Sequence, residues 1–335
     1  MENISLEKAI ELLSERVEAI ADVEELPLIE CVERIAAGDH FATFNNPPFD
    51  RSPLDGYAIN SSGTPGRFKL VGEECAGDFF LGDVNDGEAL RIMTGAAIPR
   101  GCDCVIRQED VTIDGDELVV PYALKHHENY CFAGEDIKAG ARLVEAGAKL
   151  TASHIAVLAS QGISSVKVYR RPRIAIASTG DELVEPSEKL STGKIYNSNL
   201  YLLSARLIEM GFEPKMLGNL PDDADACAER LRALSGNPFA AYATFELLSR
   251  PVLEKLSRRA EIMYRRGRGI LADAFNKKSP GRRFIRARLD GDKIFLPRRH
   301  DSGTLYSAVG CNVLVDIPGG SDELAAGDEV EIILL

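Results

Sequence analysis

The sequence is most informative at Pro47-Pro48-Phe49-Asp50-Arg51-Ser52-Pro53-Leu54-Asp55-Gly56-Tyr57-Ala58. This stretch has neither helical nor strand periodicity and contains several prolines and a glycine, so it predicts an ordered loop. The prolines restrict the backbone and Gly56 can adopt turn conformations closed to other residues, so Asp55 could be held rigidly. A rigid carboxylate suits a metal or phosphate site, although a surface turn with solvated aspartates fits the same residues.

A second informative segment is Arg91–Pro99, RIMTGAAIP. It is a short strand-like run that ends in a turn at Thr94-Gly95. A hydroxyl group and free backbone amides meet at such a turn, where they could bind an oxyanion.

Several segments together carry a resemblance to a known family. Their order and approximate spacing are similar to those of the molybdopterin molybdenumtransferases, the family of MoeA and of the C-terminal domain of gephyrin. The matching segments run along nearly the whole chain: Phe49–Ala58, Arg91–Pro99, Gly134–Ile137, Ser178–Leu183, Ile195–Asn199 and Gly236–Pro238.

The resemblance implies an activity, which is the insertion of molybdate into adenylylated molybdopterin with release of AMP. It also implies Mg²⁺ as the divalent cation and a homodimer whose site combines domains of both chains. A molybdopterin-adenylylating enzyme is a further expected partner.

Composition limits the possible classes of protein. The chain has 335 residues, of which 45% are hydrophobic and 27% charged, as in soluble multidomain proteins. A net charge of −13 argues against nucleic acid as a partner. The acidic residues near Met1 and the lack of an 18-residue apolar run argue against a signal peptide and a membrane span, so we expect a cytoplasmic protein.

The cysteines predict no disulfide framework. Seven are scattered along the chain without a CxxC pair, which favours reduced, structural thiols. Cys102 and Cys104 would face the same side of a predicted strand, so a metal-binding role for this pair stays open.

Local patterns predict the secondary structure. Ser5 can cap a helix that reaches about Ile20, and Thr151 can cap another through Ser160. The segment Val111–Val120 has the pattern of a β-hairpin centred on Asp114-Gly115. An α/β alternation follows, with strands at 173–177 and 214–217 and with helices at 197–210, 221–234 and 239–248, and four more strands are predicted at 284–289, 293–296, 312–317 and 329–334.

These elements predict a multidomain α+β and α/β fold. The predicted domains are an elongated helical and β domain (1–39 and 126–170), an inserted β-rich domain (40–125), a truncated parallel α/β molybdopterin-binding lobe (171–253) and a C-terminal β barrel (254–335). The α/β lobe has only two clear parallel strands, fewer than an independent sheet usually needs.

The sequence departs from the family at the Leu234–Ser235 junction. Family members have additional strands and helices there, with a Gly-Gly-Val-Ser-type loop and a Lys-Pro-Gly-Lys-Pro segment that contribute to the pterin and molybdate site. A smaller departure is Cys131, where the family usually has arginine, because a thiol cannot supply the forked donors of a guanidinium.

Three hypotheses follow from this departure. The shortened lobe could still bind the pterin and catalyse the reaction. The chain could instead be a non-catalytic dimeric scaffold or a molybdopterin-binding relative. It could also be a deletion product.

The resemblance also assigns candidate site residues. Asp55, Thr94 and Glu182 match catalytic positions, with Asp55 and Glu182 as the metal-binding carboxylates. The loop at the end of the first α/β strand has free amides that suit an anion. Asp136 could equally cap a turn. The predicted substrate-binding residues are Ser178, Thr179, Gly180, Asp181 and Asp136.

Overall fold

The computed structural model describes residues 4–75, 77, 80–220, 238–297 and 306–335. The chain falls into two compact units, one of Glu25–Val168 and one of Met1–Glu24 together with Tyr169–Leu335. The four-domain division stays a prediction. Among the described helices, none combines the length and the apolar character that a membrane crossing requires.

Helix α1 (Leu6–Glu15) begins as the sequence predicts, because the Ser5 hydroxyl oxygen accepts a hydrogen bond from the Lys8 amide at 3.1 Å. The prediction that it reaches Ile20 is wrong. The amide of Ile20 donates to the carbonyl of Leu256 at 3.1 Å, so a tertiary bond takes the place of a helical one.

The unit of Glu25–Val168 contains a six-stranded sheet. Its strands are β3 (Gly56–Ile59), β4 (Gly66–Glu74), β5 (Glu88–Ile92), β6 (Cys104–Arg107), β7 (Thr112–Asp114) and β8 (Glu117–Val120), in the order β6-β3-β5-β4-β8-β7. Strand β3 lies inside this sheet and all its residues are buried. The predicted hairpin is confirmed as β7 and β8, with Gly115 in the left-handed region at φ 65°.

The remainder of this unit surrounds a second core. Helix α2 (Ala152–Ser160) has the predicted cap, in which the backbone amide of Thr151 donates to His154 Nδ1 at 3.2 Å. The strands here pair two by two, as β1 (Val23–Pro27) with β10 (Ser165–Tyr169) and β2 (His40–Phe41) with β9 (Arg142–Val144).

The α/β part of the other unit confirms the two predicted parallel strands. Strand β11 (Ala175–Thr179) pairs in parallel with β14 (Lys215–Leu220), and helix α3 (Ser198–Glu209) lies between them in the chain. A short parallel pair, β12 (Leu183–Val184) with β13 (Ile195–Tyr196), follows the first strand. The predicted helix at 221–234 and the Leu234–Ser235 junction lie outside the described residues.

The helical segment predicted at 239–248 extends further than expected. It runs as α4 (Pro238–Thr244), a π-helical turn (Phe245–Ser249) and α5 (Arg250–Ser257). Pro251 does not end the segment because it lies in the first turn of α5, next to the π-helical turn, where a missing amide hydrogen costs little.

The predicted C-terminal barrel is confirmed. Strands β15 (Arg265–Leu271), β16 (Arg283–Asp290), β17 (Lys293–Phe295), β18 (Val313–Ile317) and β19 (Glu329–Leu334) form a closed barrel in the order β15-β17-β16-β18-β19. The sequence analysis missed β15 (Arg265–Leu271), whose alternating arginines and glycines have little strand propensity. This strand forms because it pairs antiparallel with β19 along nearly its whole length.

Candidate functional site

Three loops of the unit Glu25–Val168 lie together and form what we call the loop cluster, residues 46–55, 93–98 and 129–137. Arg51 forms isolated β-bridges with both Ala97 and Cys131, and Asn46 forms one with Ile137. All three loops carry segments that were predicted to be functional. The structure therefore brings Asp55, Thr94 and Asp136 to one region of this unit.

Asp55 and Thr94 are in direct contact. Strands β3 and β5 are antiparallel with Gly56 opposite Ile92, so the residue before β3 lies beside the turn that follows β5. Asp55 Oδ1 accepts hydrogen bonds from the Thr94 hydroxyl at 2.6 Å and from the Thr94 amide at 2.7 Å. The hydroxyl and then the amide of Thr94 lower the pKa of Asp55, so this exposed carboxyl group stays ionised at neutral pH.

Asp50 is a residue of the cluster that the sequence analysis did not assign. Its Oδ2 accepts a hydrogen bond from the Tyr130 hydroxyl at 2.7 Å, and its Oδ1 accepts one from the Ala133 amide at 2.7 Å. Burial and then the Asp50 carboxylate raise the pKa of Tyr130 well above its ordinary value, so the phenol stays a donor. Asp50 therefore fixes the third loop against the first, a role its place in the proline-rich motif could have suggested.

Asp136 also joins two loops. Its backbone amide donates to the Asn46 carbonyl at 3.1 Å, and the Asn46 side-chain amide donates to its Oδ2 at 3.3 Å. In the neighbouring turn, the Phe132 amide donates to Glu135 Oε2 at 3.0 Å, so the Glu135 side chain caps that turn.

The predicted loop Ser178–Glu182 lies in the other unit, at the end of β11. Two asparagines that the sequence analysis did not name as site residues fix this loop. Asn197 Nδ2 donates to Ser178 Oγ at 2.6 Å, and Asn219 Nδ2 donates to the Gly180 carbonyl at 2.8 Å. Ile195–Asn199 was among the matching segments, so Asn197 had a signal in the sequence, whereas Asn219 had none.

A small cavity of about 30 Å³ adjoins this loop, with room for about one water molecule. Ser178, Thr179, Glu182 and Asn199 contribute its polar lining, and Asn199 Oδ1 is a buried acceptor without a hydrogen-bond partner among the described residues. Buried acceptors of this kind usually bind a water or a ligand.

Glu182 folds back over the loop that precedes it. Gly180 has φ 138°, and a Cβ atom there would lie 2.7 Å from Glu182 Oε2. The positive φ favours glycine here, and any other residue would also displace the Glu182 carboxylate. The backbone carbonyl of Asp181 accepts a hydrogen bond from the Lys194 ammonium group.

The predicted residues thus form two groups. Asp55, Thr94 and Asp136 belong to one unit, whereas Ser178, Thr179, Gly180, Asp181 and Glu182 belong to the other. Within the described ranges, no group of three or more His, Cys, Asp or Glu residues could hold a metal ion. Magnesium is often bound by one or two carboxylates together with substrate phosphates, and a single ionised, exposed carboxylate such as Asp55 fits that mode.

The described cysteines form no alternative metal site. Burial raises the pKa of the Cys102 thiol to about 12, and burial also raises the pKa of the Cys104 thiol. Among the described residues, no third His, Cys, Asp or Glu side chain joins this pair in a possible metal site. The described cysteines are free thiols, and Cys227 lies outside the described residues.

Gly56→Ala is expected to destabilise the protein by about 1 to 3 kcal/mol, the range for overpacking a well-packed core. A Cβ atom at Gly56 would lie 2.0 Å from the backbone carbonyl oxygen of Ile106 on β6, which cannot move without breaking the sheet. Urea unfolding measures the effect. Gly38→Ala is the control, because nothing lies within 4 Å of its added Cβ atom; equal stability of the two variants would contradict the prediction.

Three family models match the chain. They are the MoeA N-terminal region (domain I and II) at residues 4–162, a probable molybdopterin binding domain at residues 175–235, and the MoeA C-terminal region (domain IV) at residues 268–335. Together they match most of the sequence, in the order in which the predicted domains follow one another.

Relatives and solved structures agree with these matches. A molybdopterin molybdenumtransferase of Staphylococcus epidermidis is 28% identical over 99% of this chain and 95% of its own length. One from Staphylococcus aureus is 29% identical over 92% of this chain and 90% of its own length. The crystal structure of the molybdopterin biosynthesis moeA protein of Pyrococcus horikoshii OT3 superimposes with a TM-score of 0.84, 28% identity and complete coverage of both chains.

The similarity also has a gap. The alignment with the S. epidermidis protein runs over 400 positions, more than the 335 residues of this chain, so that relative has residues without a counterpart here. The match to the molybdopterin binding domain ends at residue 235, at the predicted junction.

Proposed function

The chain belongs to the MoeA family of molybdopterin molybdenumtransferases, and from this membership we propose that it inserts molybdate into adenylylated molybdopterin and releases AMP. Its place in molybdenum cofactor biosynthesis follows from the family matches and from the named relatives. The proposal includes Mg²⁺, a cytoplasmic location, and delivery of the substrate by a molybdopterin-adenylylating enzyme.

The observation that carries the proposal is the carboxylate of Asp55. Both of its described hydrogen bonds, from Thr94, go to Oδ1, and Oδ2 accepts none from the part of the chain that the structure describes. One oxygen is therefore held in place while the other can bind a cation. When bound, Mg²⁺ would neutralise charge on the phosphoanhydride oxygens of the substrate.

The other residues have proposed roles that fit their surroundings. The amides of Ser178–Gly180, held by Asn197 and Asn219, would bind an anionic group, and Glu182 would act as the second carboxylate. Water adds to the molybdopterin phosphorus and gives a proton to solvent, the bond to the AMP oxygen breaks, and AMP leaves. The two dithiolene thiols replace one oxygen of molybdate, which leaves as water. In the proposed homodimer, Asp55 and Thr94 of one protomer face the Ser178–Glu182 loop of its partner.

The gap in the alignment favours a second candidate function. A chain with fewer residues than its relatives, whose match to the molybdopterin binding domain ends at residue 235, could bind the pterin without turnover and serve as a dimeric scaffold. This candidate shares the family and the fold but not the release of AMP.

Release of AMP from adenylylated molybdopterin, followed by chromatography with Mg²⁺ and molybdate present, tests the proposal. We expect release that stops when EDTA removes the cation and resumes when excess Mg²⁺ is added. A folded dimer that binds the pterin but releases no AMP would overturn the proposed activity and establish the scaffold.

A further inference from the structure

Four aromatic side chains form a contiguous group, which we call the ring cluster: His126 and His127, next to the loop cluster, and Tyr130 and Phe132, within its third loop. His127 contacts the other three, with ring centroids 3.7 Å from His126, 4.8 Å from Tyr130 and 4.7 Å from Phe132. The Tyr130 and Phe132 centroids are 4.9 Å apart. These separations are typical of stacked and edge-to-face aromatic pairs.

The backbone that carries the ring cluster is held in an unusual conformation. His127 and Asn129 have positive φ angles of 60° and 52°, which non-glycine residues rarely adopt. Hydrogen bonds fix this conformation, because the His127 amide donates to the Asp103 carbonyl at 2.9 Å and Asn129 Nδ2 donates to the Val105 carbonyl at 2.8 Å. The rings are therefore presented on a rigid loop.

The ring cluster is not part of the hydrophobic core. The side chain of His126 is 66% exposed, Phe132 is 43% exposed, and His127 is also exposed. Aromatic rings gain most from burial, so exposed rings on a rigid loop leave contact area that a ligand could cover.

The surroundings indicate the chemistry of such a ligand. Tyr130 donates to Asp50 of the loop cluster, so the rings are continuous with the region that contains Asp55 and Thr94. Asp103 accepts from His126 Nδ1 at 2.7 Å, which places carboxylate acceptors beside the rings. A planar nitrogen heterocycle with amino groups at its edge could stack on the rings and donate to such acceptors.

We propose that the ring cluster is a stacking site for the planar nitrogen heterocycle of a phosphorylated ligand. The choice of ligand rests on the proposed function, because adenylylated molybdopterin carries two such ring systems, adenine and pterin. Phe132 and His127 would contact the ring, and the loop cluster would lie towards the phosphates.

The test compares ligands with and without a ring. Calorimetry measures the affinity of the full chain for AMP and for ribose 5-phosphate, and fluorescence titration measures its affinity for 6-hydroxymethylpterin. Two variants remove rings gently: Phe132→Leu keeps an apolar side chain, and His127→Asn keeps a residue that tolerates positive φ. Tyr122→Leu is the matched control, because Tyr122 is similarly exposed at 42% and bonds to Asp110 outside the ring cluster.

We expect both ring variants to bind one of the two heterocyclic ligands roughly fivefold to a hundredfold more weakly, the loss typical of one stacking side chain. Binding of ribose 5-phosphate and the melting temperature should stay near wild type, and Tyr122→Leu should change neither affinity. Weaker AMP binding would identify adenine as the stacked ring, and weaker pterin binding would identify the pterin.

A purely structural ring cluster would give a different result. Equal losses for AMP and ribose 5-phosphate, unchanged affinities in both ring variants, or a wild-type chain that binds neither heterocycle would each overturn the proposal. These affinities are measured without turnover. If the chain binds AMP through the rings but does not release AMP from adenylylated molybdopterin, only the proposed activity is overturned. If Phe132→Leu releases AMP with an unchanged KM, only the stacking site is overturned.

Discussion

Asp55→Asn is expected to lower kcat/KM for AMP release at least about a hundredfold, the order of effect seen when a preorganised electrostatic group is removed from an active site. Asparagine can still accept hydrogen bonds from the amide and hydroxyl of Thr94, so the turn should keep its geometry. The variant loses only the negative charge. Because Asp55 is exposed, the melting temperature of the variant should match that of the wild type.

Thr94→Val separates the charge from its positioning. The amide of residue 94 remains as a donor but the hydroxyl is lost, so we expect a decrease of roughly tenfold, as when a group that orients a ligand is removed. The Thr94 hydroxyl is the main cause of the lowered pKa of Asp55, so this pKa should rise toward its ordinary value. In pH profiles of kcat/KM, the loss of activity on acidification should therefore begin at a higher pH than in the wild type.

Asp86→Asn serves as the control for Asp55→Asn, since Asp86 belongs to the same unit and accepts only a 3.4 Å hydrogen bond from Asn60 among the described contacts. It should keep full activity. If Asp55→Asn were as active as Asp86→Asn, Asp55 would have no part in the reaction. An unshifted acid limb in Thr94→Val would show that Asp55 does not govern the pH profile.

Local patterns were sufficient to predict much of the fold. The caps of α1 and α2, the Asp-Gly hairpin and the helix that ends before Gly211 depend on neighbouring residues, and the structure contains each of them. The end of α1 and the strand β15 depend on partners far along the chain. A bond from Ile20 to Leu256 and pairing with β19 decide these features, and no local periodicity encodes them.

The site was predictable in part, for a similar reason. The family motifs pointed to Asp55 and Thr94, which the structure joins through one carboxylate oxygen. Asn219 and the ring cluster carry no motif, because their roles depend on the loops that tertiary folding brings beside them. Side chains that position a site are harder to recognise from the sequence than those within its motifs.

Glu246→Ala is expected to destabilise the unit that contains the α/β lobe by about 3 to 5 kcal/mol, the cost of removing one partner from a buried ion pair. Glu246 is fully buried in the π-helical turn. Its Oε1 accepts a hydrogen bond from Arg206 Nε at 2.5 Å, and its Oε2 accepts one from an Arg250 guanidinium nitrogen at 2.7 Å. Without the carboxylate, the largely buried guanidinium group of Arg250 would lose its charge partner, and that of Arg206 would keep only the exposed Glu209.

The described part of the lobe depends on this contact. Within the described residues, strands β11 and β14 pair as a two-stranded sheet, and helix α3 packs in one core with Ala241, Phe245 and Leu253 of the segment α4–α5. The Arg206–Glu246 pair joins α3 to that segment inside this packing. Loss of the pair should therefore loosen the Ser178–Glu182 loop, which adjoins the same core, as well as lower global stability.

Glu209→Gln provides a matched control on the same arginine. Glu209 bonds to Arg206 at 2.9 Å but its side chain is 65% exposed, so its loss should cost at most about 1 kcal/mol. Urea unfolding compares the two variants, and hydrogen exchange of residues 176–182 reports on the loop. Faster exchange in Glu246→Ala alone would show that the buried pair holds the loop in place. Equal effects of the two substitutions would mean that packing alone maintains this part of the lobe.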